Sequence, residues 1–184
     1  MRTRGIVVRK IELKEYDQLV VVYTEEFGKI SAVVKSISKP KSKQAAHVDL
    51  INLIDFTVVK GRIRPIIASA LSLETYPLIK KSLIATGIAM FLLETIDKSV
   101  YDYDPDHNLW NFFESSFSYI NSIAPSISPL NYERVLNNIQ QNLLSVMGYQ
   151  HPEHSKNIRM VKQAFEDIGQ ASFGSLQFLK SVIQ

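Results

Sequence analysis

Histidines and acidic residues are the side chains of this chain whose types and spacing could build a metal centre. His151 and His154 form a His-x-x-His pair, yet the 184 residues include no cysteine and no clearly placed third ligand beside the pair. Asp102, Asp104 and Asp106 alternate as in a calcium-binding loop, but an intervening proline and the missing downstream glycine and glutamate break that pattern. We therefore predict exposed histidines and helix-capping aspartates, with no metal and no cofactor.

Motifs of catalysis and of nucleotide binding are absent from the sequence. It has no GxGxxG fingerprint, no Walker phosphate loop, no nucleophile elbow and no HExxH pair. The 7 glycines of the whole chain also leave little material for a loop that cradles phosphate. These observations argue against the common enzyme classes, and we predict that the protein is not an enzyme.

Lysines supply the stronger chemical signal. After Thr24, a turn and a short alternating apolar run lead into a segment that contains four lysines, one proline and no acid. Lysines on such a loop can neutralise successive phosphates of a polyanion and release the counterions bound to it. The residues predicted on this basis to contact a nucleic acid are Lys35, Lys39, Lys41 and Lys43, with Lys10, Lys60, Arg62 and Arg64 extending the surface.

Aromatic rings beside these cations would provide stacking platforms for unpaired bases. Tyr16, Tyr23, Phe27 and Phe56 are available for this purpose. Tyr23 and Phe56 occupy strand positions that equally suit a hydrophobic core. The residues alone do not decide which of the four face solvent.

The charge balance indicates that a polyanion contacts only the first part of the chain. Residues 1–80 contain 14 Lys and Arg against 8 Asp and Glu, whereas residues 81–184 contain 7 against 10. The alternative for the lysine segment is a solvated connector without a ligand. The alternative for the later cations is a hairpin that is kept soluble by its charge.

Five segments of β-branched and aromatic residues, joined by turn residues, precede residue 76. The first three are predicted to form an antiparallel meander, and the lysine segment separates the third from the fourth. Five short strands with one long connection fit a small closed or partly open barrel better than an open sheet packed on helices. The predicted strands are Arg2–Leu13, Gln18–Thr24, Lys29–Lys35, Asp49–Lys60 and Ile66–Leu73.

Hydrophobic periodicity changes to that of helices after Tyr76-Pro77. We therefore predict an α+β protein with a barrel domain over residues 1–76 and an all-α helical domain over residues 77–184. The apolar stretches are too short to span a bilayer and the N-terminus lacks the features of a signal peptide, which predicts a soluble cytoplasmic protein. The predicted helices are Ser82–Lys98, Asn108–Ile123, Leu130–Met147, Ser155–Ile168 and Phe173–Ile183.

The order of these landmarks resembles the RecO family of bacterial recombination mediators. An opening strand, an acidic turn, a TxxxGK turn and a basic segment follow one another in GIVVRKIELKEYDQLVVVYTEEFGKISAVVKSISKPKSK, and LIDFTVVKGRIRPIIASALSLETYP comes later. The second half resembles the family more loosely, through the helix after Tyr76-Pro77 and through LLSVMGYQHPE. No single motif is specific, but their order and spacing together are, and the resemblance is strongest over residues 4–75.

The resemblance implies an OB-fold barrel followed by a helical domain. It also implies a nucleoid-associated DNA repair and recombination protein that binds single- and double-stranded DNA, anneals complementary strands and promotes loading of the recombinase RecA. The implied protein partners are RecR, the acidic tail of single-strand-binding protein and, in many bacteria, RecF. Carried over by position, Lys29 joins the four lysines of the basic segment on the DNA-binding face.

The chain departs from the family pattern after the GYxP segment. Many members have a four-cysteine zinc module there, whereas this chain continues with His151-Pro152-Glu153-His154 and has no cysteine, so zinc is not expected. Two other functions stay open. One is an OB-fold module that binds RNA, because a cationic loop does not distinguish the two sugars by itself. The other is a protein-interaction scaffold in which the lysines only confer solubility, which predicts no salt-dependent binding of single strands.

Overall fold

A closed five-stranded barrel forms the N-terminal part of the computed structural model, which describes residues 1–148 and 173–183. Its strands are β1 (Arg2–Glu12), β2 (Gln18–Thr24), β3 (Gly28–Val34), β4 (Leu53–Val59) and β5 (Ile66–Glu74). They follow the order β1-β2-β3-β5-β4, and β4 returns to pair with β1. Neighbouring strands are antiparallel except β3 and β5, which run parallel where Val33 lies opposite Ile66. The predicted five-stranded OB-fold barrel is therefore confirmed.

Alternating hydrophobic side chains explain why these segments close into a barrel. In β4, Ile54, Phe56 and Val58 share the inner face and are buried. The observed β2 coincides with the predicted strand because its four β-branched residues and Tyr23 suit an extended, almost fully buried conformation. The hydrophobic effect of enclosing these side chains therefore favours the barrel over an open sheet.

The segment between β3 and β4 is folded, and this moves the start of β4. Val48 and Ile51 are buried in the barrel core or beside it. The side-chain amide of Asn52 donates hydrogen bonds of 3.2 and 2.8 Å to two backbone carbonyl oxygens that precede it by six and five residues. These contacts hold the chain in turns, so β4 begins at Leu53 rather than at the predicted Asp49.

The turn between β2 and β3 requires glycine at position 28. Gly28 has a φ of +68°, and a Cβ at this position would lie 2.5 Å from the carbonyl oxygen of Asp104. The hydroxyl of Thr24 accepts a 3.0 Å hydrogen bond from the Phe27 N–H and donates one of 2.8 Å to the carbonyl oxygen of Gly28. The turn is thus fixed both by its own side chain and by a distant part of the sequence.

That distant part is a short excursion of the chain between two helices. The chain divides into two compact units, of which the first contains Met1–Tyr76 and Val100–His107 and the second contains Pro77–Ser99 and Asn108–Gln184. The Tyr103 N–H donates a 3.0 Å hydrogen bond to the carbonyl oxygen of Lys29. Residues 100–107 thus lie against the β2–β3 turn and complete the barrel unit.

Tyr23 is the second anchor of this excursion. Its hydroxyl lies 3.4 Å from the carbonyl oxygen of Asp106, to which it donates a hydrogen bond. Burial raises the pKa of Tyr23, and the nearby carboxylates of Asp106 and Asp104 raise it further. The ring is therefore a neutral, buried part of the barrel.

The second unit is helical. Its described helices are α1 (Pro77–Lys81), α2 (Leu83–Ser99), α3 (His107–Ile123), α4 (Tyr132–Val146) and α5 (Gly174–Ile183). Leu179 of α5 packs directly against Gly87 of α2, which leaves no space for a side chain at that glycine. The rings of Phe91 and Phe173 also lie 5.3 Å apart, in a tilted arrangement. These contacts dock α5 on α2.

A carboxylate strengthens the same contact. Glu94 of α2 accepts hydrogen bonds from the backbone N–H groups of Gly174 and Ser175, at 3.0 and 3.1 Å, and from the Ser175 hydroxyl at 2.6 Å. The N-terminal N–H groups of a helix have no partner within the helix, and an acceptor from another element satisfies them. Glu94 therefore caps α5, and Lys98, at 2.9 Å, neutralises its charge.

The predicted helices correspond to observed ones, with two exceptions. The short helix α1 was not expected, and the helix predicted over Ser155–Ile168 lies outside the described residues. α4 begins at Tyr132, two residues later than predicted. In the described part of the chain, each helix is too short or too polar to cross a bilayer.

Candidate nucleic-acid interface

The lysine connector, residues 35–43, is held against the turn between β1 and β2. The Ser36 N–H donates a 2.7 Å hydrogen bond to the Asp17 carboxylate, and the Ser38 N–H donates one of 3.0 Å to the carbonyl oxygen of Tyr16. Between them, Ile37 is buried under the connector. The connector is therefore anchored where it leaves β3, because a buried side chain alternates with two serines that bind the neighbouring turn.

The chain that follows the connector is held against β5. β3 pairs with β5 only at one position, so the rest of that edge of β5 has no strand neighbour. The Gln44 side chain donates a 3.1 Å hydrogen bond to the carbonyl oxygen of Ala68. Nδ1 of His47 accepts a 3.3 Å hydrogen bond from the Ser72 N–H and lies 3.0 Å from the Ser72 hydroxyl. Side chains thus satisfy backbone groups that a sixth strand would otherwise bind.

The second cationic element is the β4–β5 loop, Lys60–Pro65. A Cβ at Gly61 would overlap the carbonyl oxygen of Arg64, so the tight loop admits only glycine there. Lys60, Arg62 and Arg64 are exposed. The loop therefore presents three cations on a short and constrained turn.

The connector and the β4–β5 loop both extend from the β3–β5 junction, in opposite directions along these parallel strands. Val33 and Ile66 are opposite one another, and the Val33 N–H donates a 2.8 Å hydrogen bond to the carbonyl oxygen of Pro65. Lys35 follows this point by two residues and Arg64 precedes it by two. At a rise of roughly 3.3 Å per residue, their Cα atoms are about 13 Å apart along the strand direction.

Ion pairs divide the cations of the barrel into two groups. Four cations of the strands have carboxylate partners: Arg2 with Asp55 at 2.6 Å, Arg4 with Glu25 at 2.8 Å, Lys10 with Asp49 at 3.3 Å and Lys29 with Asp102 at 3.6 Å. Hydrogen bonds from the arginines lower the pKa values of Asp55 and Glu25, which keeps these carboxylates charged. Four acidic residues of the barrel unit thus form ion pairs with cations that lie outside the two loops.

Arg9 of β1 and Lys14 of the turn after β1 belong neither to these four pairs nor to the two loops, which contain the other seven cations of residues 1–76. We call these seven the loop cations: Lys35, Lys39, Lys41, Lys43, Lys60, Arg62 and Arg64. All are exposed, and none forms an ion pair with a carboxylate of residues 1–148 or 173–183. Their positive charge therefore faces solvent without a described counter-charge on the protein.

Two residues that were predicted to contact nucleic acid, Lys29 and Lys10, are not exposed as the loop cations are. Lys29 is 9% exposed and its ammonium faces Asp102, because residues 100–107 cover this part of β3. The Lys10 side chain is 24% exposed and its ammonium binds Asp49, just beyond the connector. The structure does not bring either ammonium together with the loop cations, and it gives both a role in holding chain segments in place.

The four candidate stacking rings differ in their exposure to solvent. Tyr23 and Phe56 are buried, and Phe27 packs partly against the barrel core. Tyr16 is 57% exposed, and the Lys39 ammonium lies 6.0 Å from its ring centroid. Tyr16 is therefore the candidate ring that has both an exposed face and a neighbouring loop cation.

Sequence reasoning missed two residues of this surface. Lys14 is exposed in the same turn as Tyr16, and its position two residues before the aromatic residue was the available signal. Ile63 lies between Arg62 and Arg64 and is 91% exposed. A single aliphatic residue within a cationic turn is easily mistaken for part of a strand.

The three aspartates considered for a calcium loop have other roles. Asp102 pairs with Lys29, the backbone of Asp104 covers Gly28, and the carbonyl oxygen of Asp106 accepts the Tyr23 hydroxyl. Asp102 precedes α3 by five residues, so the helix-capping role predicted for it is wrong. The histidines at 151 and 154 lie outside the described residues.

Comparison with known proteins identifies relatives of this chain. Residues 1–75 match the family model described as the recombination protein O N terminal. DNA repair protein RecO of Listeria monocytogenes is 29% identical over 148 residues, which are 80% of this chain and 55% of that protein. RecO of Acetivibrio thermocellus is 27% identical over 149 residues, and RecO of Desulfitobacterium hafniense is 28% identical over 134 residues.

The matches cover most of this chain but only part of the relatives. The second and third relatives are covered over 57% and 49% of their lengths, so the chain spans about half the length of the curated relatives that it matches. The resemblance to the RecO family that the sequence predicted is confirmed.

Proposed function

We propose that this RecO-like chain is a non-catalytic DNA repair and recombination protein that binds single- and double-stranded DNA through its loop cations. The observation that supports this proposal is the segregation of charge on the barrel. Four cations of the strands are paired with carboxylates, whereas the seven loop cations face solvent on two loops that extend from the β3–β5 junction. A surface of this kind suits the regular phosphate charge of a nucleic acid.

Strand annealing follows from the same surface. Two complementary strands repel one another through their phosphates, and a cationic surface that holds both lowers this repulsion. The exposed face of Tyr16 offers a site where an unpaired base can stack. The protein would then accelerate pairing without covalent chemistry, in agreement with the predicted lack of an enzymatic activity.

Protein partners belong to the same proposal. The RecO resemblance supports interactions with RecR and RecF, with the acidic tail of single-strand-binding protein, and with RecA during its loading on DNA. We assign no residues to these contacts. We also propose a barrel domain over residues 1–76 and a helical domain over residues 77–184, with residues 100–107 added to the barrel unit.

The experiment that tests DNA binding is a salt titration with the full chain. Fluorescence anisotropy of a labelled single strand, repeated between 50 and 200 mM salt, gives the slope of log K against log salt concentration. Seven contacts to single-stranded DNA predict a slope of about −4.9, and replacing the four connector lysines by alanine should reduce it to about −2.1. The double variant Lys81→Ala/Lys180→Ala removes two exposed lysines of the helical unit and should leave the slope unchanged.

Two further measurements separate DNA binding from the alternatives. Competition with an RNA oligomer of the same sequence distinguishes a DNA-binding from an RNA-binding barrel. Adding a labelled complementary strand and following energy transfer between the labels measures annealing. Binding that does not depend on salt, or an unchanged slope in the quadruple variant, contradicts the proposal.

A further inference from the structure

We propose that Ile63 is an apolar wedge that enters the minor groove of duplex DNA and separates two adjacent base pairs. The inference rests on the proposed DNA-binding function and assigns a role to the tip of the β4–β5 loop. It names duplex DNA, bent at a deformable step, as the ligand of this tip.

The exposure of Ile63 is the first observation. Its side chain is 91% exposed, whereas the other large aliphatic side chains of the barrel that are exposed range from 38% to 58%. Removing such a side chain from water into an apolar environment is favourable. A ligand that covers Ile63 therefore recovers a hydrophobic contribution that the isolated protein lacks.

The charges around Ile63 identify the ligand. Arg62 and Arg64 flank it directly, Lys60 is three residues away, and the loop has no acidic residue. Neither arginine forms an ion pair with a carboxylate of the described residues. An apolar residue between two arginines matches the interior of a DNA groove, in which a base stack lies between two rows of phosphates.

The loop holds this tip in a defined conformation. Val59 and Ile66 pair across the base of the loop. The Gly61 Cα lies so close to the carbonyl oxygen of Arg64 that no side chain fits between them, and the Ile66 side chain closes the other side at 3.0 Å from the same position. A wedge must be stiff to separate bases, and a tight turn on a paired two-stranded ribbon provides this stiffness.

The chemistry of the side chain favours a duplex over a single strand. Single-stranded bases are bound mainly by aromatic rings, on which they stack. Proteins of the minor groove instead insert aliphatic residues such as isoleucine between base steps, with arginines that follow the narrow groove. Because pyrimidine–purine steps such as TA unstack most easily, the wedge predicts a preference for a duplex with a central TA step.

Bending and affinity of two duplexes test the wedge in the full chain. A duplex with a central TA step and one with an uninterrupted A-tract carry fluorophores at both ends, so that energy transfer reports bending and anisotropy reports affinity. We expect bending of the TA duplex only. Ile63→Ala should abolish the bend and weaken binding to the TA duplex about tenfold, from the apolar area that it removes.

Matched variants separate the wedge from general effects. Leu130 is 99% exposed in the helical unit, so Leu130→Ala removes an equally exposed aliphatic side chain and should behave as wild type. Ile63→Leu keeps a wedge of similar size and should retain most of the bend. The salt slope of Ile63→Ala should equal that of wild type, because its phosphate contacts are intact.

The following results would overturn the inference. If Ile63→Ala bends and binds both duplexes as wild type does, Ile63 is not a wedge although the DNA-binding function stands. A larger loss of affinity for a single strand than for the TA duplex would assign Ile63 to unpaired bases instead. A loss confined to binding of a protein partner, with DNA binding unchanged, would identify a protein contact. Absence of DNA binding by the wild-type chain overturns both proposals.

Discussion

The backbone nitrogen of Val33 lies 2.8 Å from the carbonyl oxygen of Pro65, and this hydrogen bond closes the barrel between β3 and β5. Pro65 has no N–H group, so it can stand at the start of a strand as an acceptor without leaving a donor unsatisfied. The bond also determines where the two cationic loops leave the barrel. Closure of the barrel at this point therefore also sets the spacing between the two loops.

The two arginines of the β4–β5 loop should contribute to DNA binding independently of the connector. We expect Arg62→Ala/Arg64→Ala to make the single-strand salt slope less steep by about 1.4, at about 0.7 for each phosphate contact that is lost. The matched variant Lys81→Ala/Lys180→Ala also removes two exposed cations and should leave the slope as it is. Equal slopes in both double variants would remove the β4–β5 loop from the interface.

Lys29 and Lys35 should differ in what their replacement changes. Lys29→Met removes the partner of Asp102 and should lower the free energy of unfolding by up to about 1 kcal/mol without changing the salt slope. Lys35→Met should leave stability unchanged and make the slope less steep by about 0.7. Urea unfolding and anisotropy titrations of both variants provide the four measurements. A flatter slope in Lys29→Met would restore Lys29 to the DNA-binding face.

Gly28 should be far less tolerant of substitution than Gly174. Gly28→Ala places a Cβ 2.5 Å from the Asp104 carbonyl oxygen at a φ of +68°, and we expect it to cost at least about 2 kcal/mol of unfolding free energy. A Cβ at Gly174 meets no atom within 4 Å, so Gly174→Ala should change stability by less than about 0.5 kcal/mol. Thermal unfolding of the two variants checks the contrast, and similar melting temperatures would contradict it.

Acid should weaken the contact between α2 and α5. Burial opposes the charge of Glu94, but hydrogen bonds from Lys98, Ser175 and Gly174 outweigh it and lower the pKa of Glu94 below its ordinary value of 4.5. A carboxyl with a lowered pKa in the folded state stabilises that state above its ordinary pKa and loses this effect as the pH falls through the lowered value. The stability advantage of wild type over Glu94→Gln should therefore be complete at neutral pH and decline below about pH 4.5.

The fluorescence of Trp110 provides the readout for this pH dependence. It is the 1 tryptophan of the chain and is buried in α3, so its emission reports unfolding of the helical unit. Urea titrations of wild type and Glu94→Gln at several pH values give the difference in unfolding free energy. A difference that stays constant down to pH 3 would show that the charge of Glu94 is not its source.

Local sequence pattern predicted the strands well but their closure less well. β2 matches its predicted limits because four β-branched residues and a tyrosine leave little choice of conformation. The start of β4 was placed too early, because Ile51 is an apolar residue of a strand-like pattern that is buried by turns. Whether the sheet closes depends on the pairing of Val33 with Ile66, which are far apart in sequence.

Contacts between residues that are far apart in sequence also limited the prediction of the candidate site. The connector lysines were identified from composition, because a segment of lysines without acids is visible in the sequence. Lys29 resembled them, yet its partner Asp102 is 73 residues away and lies beyond a helix. Lys10 and Asp49 present the same difficulty at a shorter separation. Charge can be counted in a sequence, but its neutralisation depends on contacts that the fold creates.

The return of residues 100–107 to the barrel has a consequence for synthesis on the ribosome. All five strands are complete in sequence by Glu74, but the segment that covers Gly28 and neutralises Lys29 is made only after α2. At roughly 5–20 residues per second, the nascent barrel waits about 2 to 7 seconds for this segment. During that interval Lys29 is one more cation without its carboxylate, so the newly made barrel is more basic than the finished protein.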